Sequence, residues 1–334
     1  IEVLRNGTVE LRFACGEARP GVKMTTDSIT PWYSAGKPLT AAAIARLREQ
    51  GLLDTGAAVA EVIPEFGRNG KEAVTFEHLL AHTAGFRPAD KISAATAWPE
   101  MVARICETPL EEGWEPGKKA GYSTQASWHV LAETLQRLTG RTYDEYMREE
   151  WLEPLGMSDS WLRLLFARFR EYGDRVALMH DTSKNPAEPA ALQDAEGMAI
   201  CRPGASARGP IRELARFYAM LLNGGVFEGR RMLHGETVAW LTRRERAGLF
   251  DHTFLHRIDF GFGFILDSNR HGAETVPYGY SPHCSEETFG HSGAQSSCAF
   301  ADPRHGLVAA WMTNGQPGER KHQARQRAIN TAIY

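Results

Sequence analysis

The sequence predicts a mixed α/β (α+β) fold: an antiparallel sheet flanked by helices, built from both termini, with an all-helical domain inserted between them. Three observations predict it. Strand-like runs gather near the two ends, helix-period patterns fill the middle, and 334 residues suffice for two domains or one with a large insertion. The expected boundaries are residues 1–70 and 210–334 for the sheet domain and 71–209 for the helical one, with an active site at their junction.

Taken in order, residues 3–5 and 9–13 read as short strands, and Asn6-Gly7 between them suits a tight turn with positive φ. From Ser34 the pattern turns helical: Leu39, Ala42, Ile44 and Leu47 recur at roughly helical spacing, and Gly51 stops the run. Ser34 therefore falls at or near a helix N-terminus. Residues 77–208 read as mostly helical, the clearest helix covering 125–139, where Trp128, Leu131, Leu135 and Leu138 share a face and Gly140 closes it. Residues 181–189, polar and proline-bearing, read as a surface loop. Another amphipathic helix covers 211–223. Strand character returns at 260–266, 294–300 and 307–313, the last two joined by the turn Asp302-Pro303-Arg304-His305-Gly306, and a helix over 321–333 closes the chain. Gly261 and Gly263 read as strand glycines that admit close packing, Trp128, Tyr143, Tyr146 and Trp151 as core, and Arg243-Arg244-Glu245-Arg246 as a solvated helix end.

A formal net charge of -3 without single-sign blocks argues against nucleic acid as an obligate partner. Five cysteines (Cys15, Cys106, Cys201, Cys284 and Cys298), an odd count with no CxxC, suggest neither a disulfide framework nor a zinc knuckle. No apolar run reaches the roughly 18 residues a membrane span needs, so no transmembrane segment is expected. Reduced thiols suit a cytoplasmic protein, although a chain opening at Ile1 leaves a removed leader open.

The chemistry centres on Ser34. A serine hydroxyl needs a base within hydrogen-bond reach to act as a nucleophile. Spacing of three on a helix stacks Ser34 and Lys37 on one face, and a lysine serves as base once burial pushes its pKa down. The apolar flank Pro31-Trp32-Tyr33 offers that burial, and the helix start offers free N–H groups to an oxyanion. The pattern alone reads more readily as a capping serine and a solvated surface lysine. Competing constellations are poorer. His78 and His82 are four apart, but Glu77 precedes the pair, so HExxH is absent and no metal is expected. No Gly-x-Ser-x-Gly elbow and no phosphate loop occurs.

Three later motifs follow Ser34-Ala35-Gly36-Lys37 in order: residues 76–86 around His82-Thr83-Ala84-Gly85; Tyr122-Ser123-Thr124 with its helix and Leu152-Glu153-Pro154-Leu155-Gly156; and Gly290-His291-Ser292-Gly293. With them the sequence resembles the class C β-lactamase superfamily, which includes penicillin-recognising peptidases, D-aminopeptidases, esterases and some acyltransferases, over nearly the whole chain. The resemblance implies a β-lactamase/transpeptidase-like fold and an acyl-enzyme on Ser34, with no metal and no organic cofactor. It implies Lys37 as base, Tyr122 as proton shuttle, the N–H groups of Ser34 and Ala294 as oxyanion hole, and His291 and Thr124 towards the substrate. For Tyr122 to shuttle, its pKa should be depressed, which contact with Lys37 would provide. Two departures stand out. Thr124 replaces the family's usual asparagine, and His291 replaces a lysine, removing a permanent positive charge. The expected function is thus a serine hydrolase of a small-molecule ester or amide, an esterase or amidase more than a β-lactamase. The alternatives are an acyltransferase of secondary metabolism using the same acyl-enzyme and a non-catalytic binding protein of the same fold.

Overall fold

The computed structural model describes residues 1–87, 96–191 and 193–334. Six antiparallel strands form its main sheet: β1 (Glu2–Arg5), β2 (Thr8–Arg12), β3 (Ile265–Leu266), β4 (Phe289–Gly293), β5 (Ser297–Asp302) and β6 (Leu307–Met312), in the order β3-β4-β5-β6-β1-β2. The N-terminal hairpin lies beside the C-terminal strands, with Val3 opposite Ala309, so the two ends of the chain share one sheet. Asn6 and Gly7 turn that hairpin at φ +50° and +79°.

Alternation along the central strands splits the core. Ala299, Ala301, Val308 and Ala310 point into the larger cluster, which holds most of the helices, whereas Cys298, Phe300, Leu307, Ala309 and Trp311 point into a smaller one. The larger cluster contains α1 (Lys37–Glu49), α2 (Ala126–Thr139) and α3 (Ile211–Leu222), with α3 packed across β5 and β6. On the other face lies α4 (Glu319–Ile333), where Trp311 donates its indole N–H to Asn330 at 2.7 Å. Trp128, Tyr143, Tyr146 and Trp151 are all buried, as expected of core aromatics.

Several expectations need correction. Only Ile265–Leu266 of the run 260–266 joins the sheet, because Gly263 at φ +82° turns the backbone against α1: a Cβ there would lie 2.4 Å from that of Ala41. Strand 294–300 begins three residues later, and Ala294 sits in the turn between β4 and β5. The middle of the chain carries long irregular stretches between its helices, and residues 181–189 close as an exposed hairpin, His180–Asp181 pairing with Glu188–Pro189. The arginine run after helix Gly235–Thr242 is only partly solvated. Arg246 is wholly buried and paired with the equally buried Asp251 at 2.9 Å.

Candidate active site

Ser34 lies in a 3₁₀ turn, Tyr33–Gly36, that runs directly into α1 at Lys37. Tyr33 holds φ at +49°, a conformation costing a non-glycine residue about 1–3 kcal/mol, so the turn must be clamped from outside. Trp32 provides the clamp. Its backbone N–H donates to Ala207 O at 2.8 Å, its indole N–H to Gly209 O at 3.1 Å, and its carbonyl accepts Ser297 Oγ at 2.7 Å. Gly293, at the end of β4, must be glycine, since a Cβ would lie 2.2 Å from Trp32 O.

Lys37 is fully buried, and its Nζ lies 2.9 Å from Ser34 Oγ, 2.9 Å from Thr124 O and 2.6 Å from Gly204 O. The rings of Tyr122 and Trp128 flank it at 5.3 and 5.5 Å. Burial, with no carboxylate among the described residues to offset it, lowers its pKa well below the ordinary lysine value. A neutral amine has two N–H groups and one lone pair. Two carbonyls take the N–H groups, which leaves the lone pair facing the Ser34 hydroxyl. Gly204 makes this enclosure possible: a Cβ there would come 2.8 Å from Thr124 O and 3.1 Å from Lys37 Nζ.

Tyr122 reaches the same place from a loop ahead of α2. Its N–H donates to Asp251 Oδ1 at 3.2 Å, its carbonyl accepts Thr253 Oγ1 at 3.1 Å, and Ser123 N–H donates to His82 Nδ1 at 3.0 Å. Burial raises the Tyr122 pKa, with the neighbouring Ser34 hydroxyl pulling the other way. The depressed phenol expected from Lys37 is therefore not found: a lysine that favours its neutral form supplies no charge to lower it. Tyr122 stays a phenol and a proton donor.

His291, on β4, is buried and donates from Nδ1 to Ser292 O at 2.8 Å, so Nε2 is a bare acceptor, and it has no partner among the described residues. Burial pushes its pKa down to about 3, which keeps it neutral at working pH. Ser34, Tyr122, Thr124, His291 and Ala294 line one cleft of about 470 Å³, with Phe254 and Tyr278 on its wall. Thr124 and Ala294 are exposed to it. Thr124 acts on Lys37 through its carbonyl, and its hydroxyl has no described partner. The backbone N–H groups of Ser34 and Ala294 donate to no acceptor among the described residues.

The histidine pair separates: His78 Nδ1 accepts Thr75 N–H at a helix cap, while His82 braces Ser123. No metal-binding cluster occurs among the described residues. Sequence reading missed Gly204, Asp251 and the burial of Arg246. Gly204 and Asp251 act through a carbonyl and through bonds to backbone amides, which leave no pattern along the chain.

The chain is 28% identical over 317 residues to "Esterase/beta-lactamase LipL" of Mycobacterium tuberculosis, covering 88% of this chain and 71% of that protein. A penicillin-binding protein homolog from Caulobacter crescentus superposes with a TM-score of 0.82 at 30% identity, over 100% of this chain and 91% of the other. A family VIII carboxylesterase does so at 0.77 and 25%, over 98% and 91%. Residues 1–332 match the family model described as beta-lactamase, and the chain accordingly belongs to the β-lactamase family of serine hydrolases.

Proposed function

We propose that this enzyme hydrolyses a small-molecule ester or amide through an acyl-enzyme on Ser34. The observation that carries the reading is the enclosure of Lys37 Nζ by two carbonyls and the Ser34 hydroxyl, with no carboxylate paired to it among the described residues. Ser34 Oγ attacks the substrate carbonyl carbon while its proton passes to the Lys37 lone pair. The oxyanion that forms is received by the N–H groups of Ser34 and Ala294. Tyr122 donates its proton to the leaving oxygen or nitrogen as the acyl bond breaks, and Lys37 returns the proton to Tyr122. Water then attacks the ester, its proton taking the reverse route.

In this reading the cleft lies between two domains, residues 1–70 with 210–334 and residues 71–209. Ser34, Lys37, His291 and Ala294 come from the first, Tyr122, Thr124 and Gly204 from the second. A neutral His291 that offers only an acceptor holds a carboxylate poorly at the position of the family's lysine, which favours esters and amides over penicillins.

Incubation with a fluorophosphonate or an activated p-nitrophenyl ester, followed by intact mass measurement, tests the reading. One adduct, mapping to Ser34 and absent from Ser34→Ala, is expected. No adduct with any acyl donor would falsify it. Following acyl-enzyme decay with added alcohols and amines then separates water from other acceptors: acceleration by an acceptor, with the transfer product formed, marks an acyltransferase.

A further inference from the structure

In the acyl-enzyme reading the oxyanion is received by two N–H groups that lie on separate turns. The turn that carries Ser34 is clamped through Trp32. Ala294 belongs to the turn 294–296 between β4 and β5, which Ser296 N–H closes by donating to Gly293 O at 3.1 Å. At its centre Gln295 holds φ at +50°, a left-handed conformation that a residue with a side chain keeps only where its surroundings enforce it.

The C-terminal segment supplies that enforcement. It takes all three carbonyls of the turn: Gln316 Nε2 donates to Ala294 O at 2.9 Å, Arg325 Nη2 to Gln295 O at 2.8 Å, and Thr313 N–H to Ser296 O at 2.8 Å. The Gln295 side chain in turn accepts Gly318 N–H at 2.7 Å. Arg325, on α4, also donates to Gly315 O at 3.1 Å, so one guanidinium ties the turn to the strand that carries Gln316. The backbone of Gln316 is itself fixed. Gly315–Gln316 pairs in parallel with His180–Asp181, and Thr182 N–H donates to Gln316 O at 2.9 Å. The Ala294 N–H, by contrast, meets no acceptor among the described residues, and Ala294 lines the cleft with Ser34.

We propose that Gln316, with Arg325 behind it, is a positioning residue for the second oxyanion donor. Neither side chain lines the Ser34 cleft: Gln316 acts through the Ala294 carbonyl and Arg325 through that of Gln295. A donor held rigidly where negative charge develops stabilises the transition state more than the ground state, because nothing has to reorganise as the charge appears. Loosening the turn therefore lowers kcat and leaves ground-state binding alone. The proposal rests on the acyl-enzyme reading of Ser34 and adds to it the residues that keep Ala294 in place.

The test uses Gln316→Met, which keeps the bulk and removes the donor. With an activated p-nitrophenyl ester, kcat should fall about tenfold, less than the roughly 100- to 1000-fold cost of losing an oxyanion donor outright, while KM stays near wild type. A trifluoromethyl ketone supplies the readout that a purely structural role would not move. Ser34 Oγ bonds to its carbonyl carbon, the carbonyl electron pair moves to oxygen, and the serine proton passes to Lys37, so the adduct carries the oxyanion. Its inhibition constant should rise by the same factor as kcat falls, whereas that of the matching secondary alcohol, which cannot be attacked, should not change. Equal weakening of ketone and alcohol, or no change in either, overturns the assignment. Arg325→Met acts on the same turn through Gln295 and keeps the test open if Gln316→Met does not fold: it should show the same split, and its failure to do so also overturns the proposal. If Ser34→Ala binds the ketone as tightly as wild type, the acyl-enzyme reading fails instead.

Discussion

A lysine amine enclosed by two carbonyls and a hydroxyl has no anionic partner among the described residues to hold its proton, and that fixes how activity should respond to pH. Lys37 has its pKa lowered well below 10.5 by burial, and only the neutral form offers a lone pair to Ser34. The sign follows directly. Below the lowered pKa the amine is protonated and the base is lost; above it the base is present. The value of kcat/KM should therefore rise with pH through that lowered pKa and be at its plateau well before pH 10, with Lys37→Arg having no such limb because a guanidinium stays charged. His291, titrating at about 3, adds no limb between. A pH-rate profile still climbing at the ordinary lysine pKa would contradict the assignment of Lys37 as base.

At the scale of elements, the site depends on chains that approach closer than side chains allow. The segment carrying Gly204 passes between Thr124 and Lys37, and Gly204→Ala would insert a methyl group 3.1 Å from the amine and 2.8 Å from the carbonyl that binds it. Overpacking of this kind costs about 1–3 kcal/mol of stability. Displacing a catalytic base by a fraction of an ångström to an ångström costs up to about a hundredfold in rate. Gly204→Ala should thus remain folded by circular dichroism while kcat/KM drops by about one to two orders of magnitude. A variant with the wild-type rate would mean that Lys37 tolerates movement. The same closeness explains what could be read from the sequence. Ser34 and Lys37 are legible because both belong to one turn and helix, where spacing of three implies contact. Strand β4 was legible only as a motif, since Phe289-Gly290-His291-Ser292-Gly293 is too rich in glycine and polar groups to look like a buried strand. Residues 260–266 misled in the opposite way: Phe260, Phe262 and Phe264 alternate as a strand would, but all three are buried and Gly263 bends the run.

For the whole molecule, the ends of the chain were readable because each carries strands with clear period-two patterns, and one sheet needs both. The link between that sheet and the Tyr122 loop was not readable, because it is a buried ion pair made from a cluster that looked like surface. Asp251 Oδ1 receives the N–H groups of Tyr122, Thr253 and Phe254, and its charge is balanced by Arg246, which also donates to the Ile258 carbonyl. Burial lowers the Arg246 pKa to about 10, so the guanidinium keeps its charge at neutral pH. Removing one member of such a pair leaves the other uncompensated in a dry interior, which costs about 3–5 kcal/mol, whereas removing both costs less. Arg246→Met should accordingly lower the urea midpoint by an amount equivalent to about 3–5 kcal/mol without changing the slope. Arg246→Met combined with Asp251→Asn should recover part of that stability, because the stranded charge is gone. Activity should not recover in parallel: the neutral asparagine oxygen accepts the three backbone N–H groups less strongly than the carboxylate oxygen does, so Tyr122 is held less firmly beside Ser34. A double variant that regains stability and wild-type kcat together would show that Asp251 serves only the fold, and that Tyr122 is positioned by the Thr253 and His82 contacts alone.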